Sequence, residues 1–198
     1  GQSQQTQCGS TTATMEEFLS DPARHTLFLS PANQQEILNT AMKLKNKRST
    51  GHDELSPYCL KLLIPSLLRP LEIIINRIIS EGEFPSTLKL SKIKPIHKKN
   101  ERDLMTNYRP ISLLPATSKL IEKLIHTRIY SFLSTNDILT DNQFGFRPKL
   151  STTDALTKFF GDTYNSINAK QPTVATFLDL SKAFDTIQHT LLLQKLHH

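Results

Sequence analysis

The sequence lacks the features that mark membrane-spanning, secreted and repeat proteins. It has no run of about 18 apolar residues, so no transmembrane helix is expected. The first 14 residues are polar and lack the apolar segment of a secretory signal. There are 2 cysteines, Cys8 and Cys59, and their wide separation predicts free thiols in a reducing compartment rather than a disulfide framework. No internal repeat is present.

Positive charge is concentrated in one third of the sequence. Residues 41–109 hold 14 lysines and arginines against 7 acidic residues, whereas the rest of the chain holds 10 against 11. A local basic field suits a polyanion such as nucleic acid or a nucleoside triphosphate. A solvated basic surface would give the same composition, so charge alone leaves both interpretations open.

Helical patterns dominate the first half of the chain. Ser30 and Pro31 predict a helix start, as N-cap and first helical residue. The apolar positions of this helix are Ile37, Leu38, Ala41 and Leu44. A second helical region, residues 58–80, is predicted after Ser56. The prolines expected to break or kink it are Pro65 and Pro70.

A β-hairpin is predicted next. Two short apolar runs, residues 88–99 and 108–115, flank a polar, charged stretch, which is typical of paired strands joined by a long loop. An amphipathic helix is expected over residues 118–133. Its apolar side holds Leu120, Ile121, Leu124, Ile125 and Ile129.

The last third of the chain predicts a loop, two helices and a strand. Residues 140–150 are rich in glycine, proline and aromatic residues, and residues 154–167 look helical. The β-branched and apolar run 173–178 predicts a buried strand that ends at Asp179. Ser181 is then expected to cap a final helix. The apolar residues assigned to that helix are Phe184, Ile187 and Leu191.

Asp179 is the residue with the clearest chemistry. A carboxylate at the carboxyl end of a buried strand is held by the strand and faces the open crevice beyond it. It would serve as a hard oxygen ligand for Mg²⁺, with the adjacent carbonyl of Leu180 as a second ligand. An aspartate that merely caps the following helix explains the same nine residues, FLDLSKAFD, equally well.

Several ordered segments together resemble the reverse transcriptases of non-LTR (LINE-type) retrotransposons, the branch that includes jockey-like elements. They correspond to the segment before the fingers, two fingers motifs, a template-contacting insertion and the first palm motif. In that order they are STGHDELSPYCLK (49–61), KPIHKKN (94–100), NYRPISLLP (107–115), QFGFRPKLSTTDAL (143–156) and FLDLSKAFDTIQH (177–189). The resemblance extends from Ser49 to the end of the chain.

The resemblance implies an α/β fold. We expect mostly helical fingers with a β-hairpin, joined to the first strand and helix of a truncated polymerase palm, whose strand would be short of partners. The expected parts are a polar, disordered extension (1–28), a helical segment (29–86), the fingers (87–170) and the start of the palm (171–198).

The resemblance also implies roles in template-directed phosphoryl transfer, which depends on positioning and on charge neutralisation by divalent metals. Asp179 would be the catalytic residue and would bind Mg²⁺ together with the carbonyl of Leu180. The ring of Phe184 would exclude a sugar 2′-hydroxyl, so that deoxynucleotides are selected.

Two basic residues match those that grip the incoming dNTP. Lys98 and Arg109 would lie close together on the hairpin, although 11 residues separate them in sequence. Arginine offers phosphate a planar fork and lysine a point charge. Lys99 would be able to replace Lys98.

The loop of the insertion motif is expected to follow the template strand. Gly145 would allow close backbone approach, Arg147 would contact phosphate, and Gln143 and Phe146 would complete the contact. We expect one of the two phenylalanines, Phe144 or Phe146, to anchor the loop in the core. Because both point to one side of an extended backbone, packing of both rings is favoured over stacking of both on bases.

The implied partners are an RNA template, a DNA primer and dNTP, with no membrane, in the nucleus or cytoplasm; the oligomeric state is left open. The sequence contains no Tyr/Phe-x-Asp-Asp motif, which such polymerases need for the remaining metal ligands. We therefore expect no polymerase activity from these 198 residues alone.

Two other function classes would explain part of the same sequence pattern. An aspartate-nucleophile phosphatase also places an aspartate at a strand end, but it needs a second aspartate where this chain has Ser181. A non-catalytic, RNA-binding remnant of a retroelement would keep the same motifs. The residues beyond the printed sequence would distinguish the remnant from an enzyme.

Overall fold

The computed structural model describes residues 25–180 and 183–197. The predictions for residues 1–24 and for Ser181 therefore lie outside the described residues. Residues 27–137 form one compact unit, and the described residues from 138 onward belong to a second. The elements are α1 (Gln34–Met42), α2 (Pro57–Glu81), α3 (Ser86–Lys89), β1 (Lys92–His97), β2 (Tyr108–Leu113), α4 (Ala116–Thr135), α5 (Thr152–Asn168) and α6 (His189–His197).

This architecture confirms the α/β class, mostly helical with one hairpin. In the described part of the chain, β1 and β2 are the only paired strands, and they run antiparallel. Within the same residues, no helix is both long and apolar enough to cross a membrane.

The first helix begins later than predicted. Asn33, rather than Ser30, is its N-cap: the backbone of Asn33 is extended, and its side-chain oxygen accepts a hydrogen bond of 2.9 Å from the amide of Glu36. Asparagine is among the best capping residues, because its short side chain satisfies an amide that the first turn leaves free. The serine–proline signal at residues 30–31 therefore marks the extended approach to α1.

The second helix is continuous through both internal prolines, so of the predicted break or kink the break is wrong. Ser56 caps it as expected, accepting a hydrogen bond of 3.1 Å from the amide of Cys59. Each interior proline removes one backbone hydrogen bond, at a cost of about 3 kcal/mol. Burial along the whole length of α2 outweighs that cost. The buried apolar side chains of its interior are Leu60, Ile64, Leu71, Ile75 and Ile78.

The core of the first unit lies where α1, α2 and α4 meet. Helical periodicity predicted Ile37 and Ala41 of α1, and three members on α4, because residues three and four apart share a helix face. The three on α4 are Leu120, Ile121 and Leu124. The members of the core from α1 and α4 and from their N-terminal approaches are Ala32, Ile37, Ala41, Ala116, Leu120, Ile121 and Leu124. Leu38, Leu44 and Ile125 are partly buried against it.

Two polar side chains hold the approach to α1 against this core. Asn76 of α2 accepts a hydrogen bond from the amide of Ala32 at 2.6 Å and donates one to its carbonyl at 3.0 Å. Arg128 of α4 pairs with both carboxylate oxygens of Glu36 and donates to the carbonyls of residues 30 and 31. Only 15% of the Arg128 side chain is exposed, so water solvates its positive charge poorly. These partners stabilise the charge instead.

Gly51 brings a third segment against the start of α4. A Cβ atom at this position would lie 2.7 Å from the amide nitrogen of Pro115 and 2.8 Å from the carbonyl carbon of Leu114. Both are backbone atoms, which cannot rotate away. The glycine of the segment at residues 49–61 is thus required for packing.

The second unit has a different character. Ser151 and Asp154 form a capping box at the start of α5, and hydrogen bonds from the hydroxyl and amide of Ser151 lower the pKa of Asp154. Residues 173–178 form no strand, so that prediction is wrong, and among the described residues from 138 onward no side chain is buried. A strand needs a partner to satisfy its backbone amides and carbonyls, and none pairs with this segment here.

We expect Gly51→Ala to lower the free energy of unfolding by about 1–3 kcal/mol, because the added methyl group collides with fixed backbone. The measurement is urea denaturation followed by far-UV circular dichroism. Gly161→Ala is the control, since the same methyl group there meets open space on α5 and should stabilise by up to about 1 kcal/mol. An unchanged midpoint for the first variant would contradict the packing role of Gly51.

A second comparison uses two arginine–glutamate pairs of similar length but different burial. The Arg128–Glu36 contact is 2.6 Å with 15% of the arginine side chain exposed, and Arg77–Glu81 is 2.8 Å with 75% exposed. Arg128→Met should lower the free energy of unfolding by about 3 kcal/mol, because it leaves the Glu36 carboxylate and two backbone carbonyls without their hydrogen-bond donor. Arg77→Met should lower it by less than about 1 kcal/mol. Equal losses in the same denaturation experiment would contradict this account.

Candidate functional site

The hairpin places Lys98 and Arg109 on the same face. Arg109 pairs with Ile96, and the backbone amide of Lys98 donates a hydrogen bond of 2.8 Å to the carbonyl of Asn107, which continues the ladder one step beyond β1. Lys98 and Arg109 are therefore diagonal neighbours, with Cα atoms about 7–8 Å apart. This is within reach of one phosphate group for two long side chains.

Both cations are available to a ligand. Lys98 and Arg109 are exposed, and neither has an ion-pair partner among residues 25–180 and 183–197. Lys99 differs, since it lies in the bend after the ladder, next to Asn100, whose φ is +66°. The register thus holds Lys98, and not Lys99, beside Arg109.

Two further lysines share this face, and the predictions had assigned them no role. Lys92 pairs with Leu113 and Lys94 with Ile111, so both side chains lie on the side of the hairpin that carries Arg109. The signal in the sequence is lysines an even number of residues apart, at positions 92, 94 and 98, but its meaning depends on the strand register.

The opposite face of the hairpin carries no lysine, arginine or acid. Its pairs are Ile93 with Ser112, Pro95 with Pro110, and His97 with Tyr108. In the last pair the two rings meet edge to face, with centroids 5.3 Å apart. The ribbon is therefore charged on one side only.

The predicted template loop is closed by its own arginine. Arg147 donates a hydrogen bond of 2.8 Å to the carbonyl of Thr140, and its nearest carboxylate oxygen, from Asp141, is 3.9 Å away. The side-chain amide of Gln143 donates to the carbonyl of Gly145 at 3.3 Å. Arg147 still has further N–H groups that could meet a phosphate, but its first role here is to shape the loop.

The two phenylalanines of this loop differ in exposure, and they do not both pack. Phe144 is half-buried, whereas Phe146 is 88% exposed. The reason is local: Phe146 has a φ of +62°, so the backbone turns there and the two rings do not share a side. The space beside Gly145 is open.

Phe146 meets Phe184, the predicted gate. The two rings lie edge to face with centroids 6.0 Å apart, so the insertion motif and the first palm motif touch within the second unit. Phe184 is 76% exposed and lies in a turn, not on the predicted helix, because α6 begins only at His189. Ile187 also precedes α6, and Leu191 lies on it.

Asp179 lies in an exposed segment without regular secondary structure rather than at the end of a buried strand. Just before it, the ring of Phe177 lies 5.9 Å from that of Phe159 on α5, so an aromatic contact, not a sheet, holds the segment. The carboxylate of Asp179 and the carbonyl of Leu180 are the hard oxygen donors that Mg²⁺ prefers. They form only part of a site, since the described residues contain no cluster of three or more potential metal ligands.

A separate apolar cleft of about 570 Å³ lies along α4 in the first unit. None of the predicted site residues lines it. Glu122 is one of its lining residues, and burial raises the pKa of this carboxyl. The cleft is therefore not part of the site that the sequence predicted.

Residues 96–198 match the family described as reverse transcriptase (RNA-dependent DNA polymerase). The chain is 33% identical, over 91% of its length, to the RNA-directed DNA polymerase from mobile element jockey of Drosophila melanogaster. From the same species, the probable RNA-directed DNA polymerases from transposon BS and from transposon X-element are each 33% identical, over 90% and 81% of this chain.

The matched region is a small part of these relatives. The chain spans 20% of the jockey and BS proteins and 18% of the X-element protein. The family match begins within β1 and includes Lys98, Arg109, the template loop and Asp179. On these grounds the chain belongs to the reverse transcriptase family, in its non-LTR (LINE-type), jockey-like branch.

Proposed function

We propose that this chain supplies the nucleotide-gripping fingers and the first catalytic aspartate of an RNA-directed DNA polymerase. The observation that carries the proposal is the hairpin register, which sets Lys98 and Arg109 diagonally on one exposed face. Two exposed cations at this separation suit a triphosphate, because each can bind different phosphate oxygens. The names of the jockey, BS and X-element proteins support the same reaction class.

Asp179 would act with Mg²⁺ in that enzyme. When bound, the metal would neutralise charge on the phosphates of the incoming dNTP. The carboxylate of Asp179 and the carbonyl of Leu180 would supply two of its ligands, and the other ligands would come from elsewhere in the polymerase. The exposure of Asp179 supports this role, because a buried carboxylate would have no access to substrate.

Phe184 would select deoxynucleotides, and the loop at residues 143–147 would guide the RNA template. The contact between Phe146 and Phe184 supports a link between these tasks, because moving one ring would displace the other. Gln143, Gly145 and Arg147 would position the loop along the template strand while a DNA primer is extended.

The test is template-directed dNTP incorporation by the polymerase that contains this chain. Asp179→Asn should reduce incorporation at least a thousandfold, because it removes a charge that the transition state requires. Asp162→Asn is the matched control, since this aspartate lies on α5 in a surface pair with Lys158 and should leave the rate unchanged. Full activity in the Asp179→Asn protein would overturn the proposal, and so would incorporation that needs no template.

The hairpin geometry also predicts which lysine binds the nucleotide. Lys98→Gln should raise the dNTP KM about tenfold or more, because it removes a charge-assisted hydrogen bond to phosphate. Lys99→Gln changes the same charge one residue later, outside the ladder, and should change KM by less than about twofold. Steady-state kinetics with varied dNTP measure both values, and a larger effect at Lys99 would contradict the assignment.

A further inference from the structure

The charged face of the hairpin is longer than one triphosphate. Successive pairs on this face carry one cation each: Lys92 opposite Leu113, Lys94 opposite Ile111, Arg109 opposite Ile96, and then Lys98 at the end of the ladder. Side chains on one face of a strand repeat about every 7 Å, so the four cations extend over about 20 Å. Successive phosphates of a triphosphate share a bridging oxygen, so a single nucleotide cannot reach all four.

The sorting of charge to one face is the informative feature. Lysines protect exposed strands from pairing with another sheet, but they do so on either face. Here all the lysines and arginines of the two strands lie on one face, and that face carries no acid. Such an arrangement matches a ligand whose negative charges recur along a line.

We propose that Lys92 and Lys94 bind backbone phosphates of a single-stranded RNA, beside the dNTP-gripping pair Lys98 and Arg109. The inference rests on the proposed polymerase function and adds a second subsite to it. Phosphates on one strand of a stacked helix lie about 3.4 Å apart along the axis, so cations about 7 Å apart can each meet a different phosphate.

Single-stranded RNA suits this surface better than a duplex. Exposed apolar side chains stand between the cations, among them Ile96 and Ile111, which are 45% and 39% exposed. An unpaired strand can place its bases or riboses against such side chains while its phosphates meet the lysines. A duplex buries its bases in the stack and leaves those apolar side chains without contact.

The proposal is tested by the salt dependence of RNA binding. The full chain is titrated with a fluorescein-labelled single-stranded RNA of 16 nucleotides, and anisotropy gives the affinity at several salt concentrations. The double variant Lys92→Gln/Lys94→Gln should reduce the slope of log K against log salt by about 1.4, because each lost phosphate contact contributes about 0.7. Its affinity at 0.1 M salt should fall about tenfold.

The matched control is Lys43→Gln/Lys45→Gln. These lysines are exposed, are two residues apart and lie in the same basic third of the sequence, but they are not on the hairpin. The control removes the same net charge and should leave the slope unchanged. Lys92→Arg/Lys94→Arg should retain wild-type affinity, which shows that an altered fold is not the cause of the loss.

Four outcomes would overturn the inference. These are equal losses in the glutamine variant and its control, no binding of RNA by the wild-type chain at low salt, failure of the arginine variant to retain binding, and tighter binding of a 16-base-pair RNA duplex than of the single strand. The proposed polymerase function is judged separately from dNTP KM and from Asp179→Asn, so either idea can fail without the other.

Discussion

The close approach of Gly51 to the backbone of Leu114 and Pro115 is the constraint on which the hairpin depends. None of the residues of β1 and β2 is buried, so the strands receive little support from a core of their own. Their base is fixed instead, at Gly51 on one side and by a 2.6 Å hydrogen bond from the buried Ser118 hydroxyl to the carbonyl of Leu88 on the other. A two-stranded ribbon is marginal in water unless something holds its ends.

This anchoring explains why packing residues and binding residues lie so near each other in the sequence. The apolar end of NYRPISLLP packs against Gly51 and leads into α4, whereas its arginine, Arg109, is exposed to solvent on the ribbon. A segment of nine residues thus fixes the ribbon and presents a cation. Not every residue of this motif needs to bind a ligand, because some of its residues are required for close packing.

In the second unit, exposed side chains predominate over buried ones. Its described side chains are not buried, and its apolar residues meet in aromatic pairs such as Phe159 with Phe177 and Phe146 with Phe184. Residues 173–178 have the composition of a buried strand, and Leu178 is nevertheless 88% exposed. The β-branched and apolar residues of this segment favour a buried strand. A strand must pair with another strand, and the described residues supply no partner for it.

The sequence by itself determined the family, the helix faces and the existence of the hairpin, because these follow from local order: periodicity, capping residues and motifs a few residues long. It did not determine the N-cap at Asn33, since Ser30–Pro31 carries the same local signal, or the continuity of α2, which depends on burial summed over 25 residues. Only tertiary structure decided that Phe146 turns outward, that Arg147 closes its own loop, and that lysines at 92, 94 and 98 share the face of Arg109. Strand register decides which side chains are neighbours. If the register of one strand shifted by one residue, all the side chains of that strand would move to the other face of the hairpin.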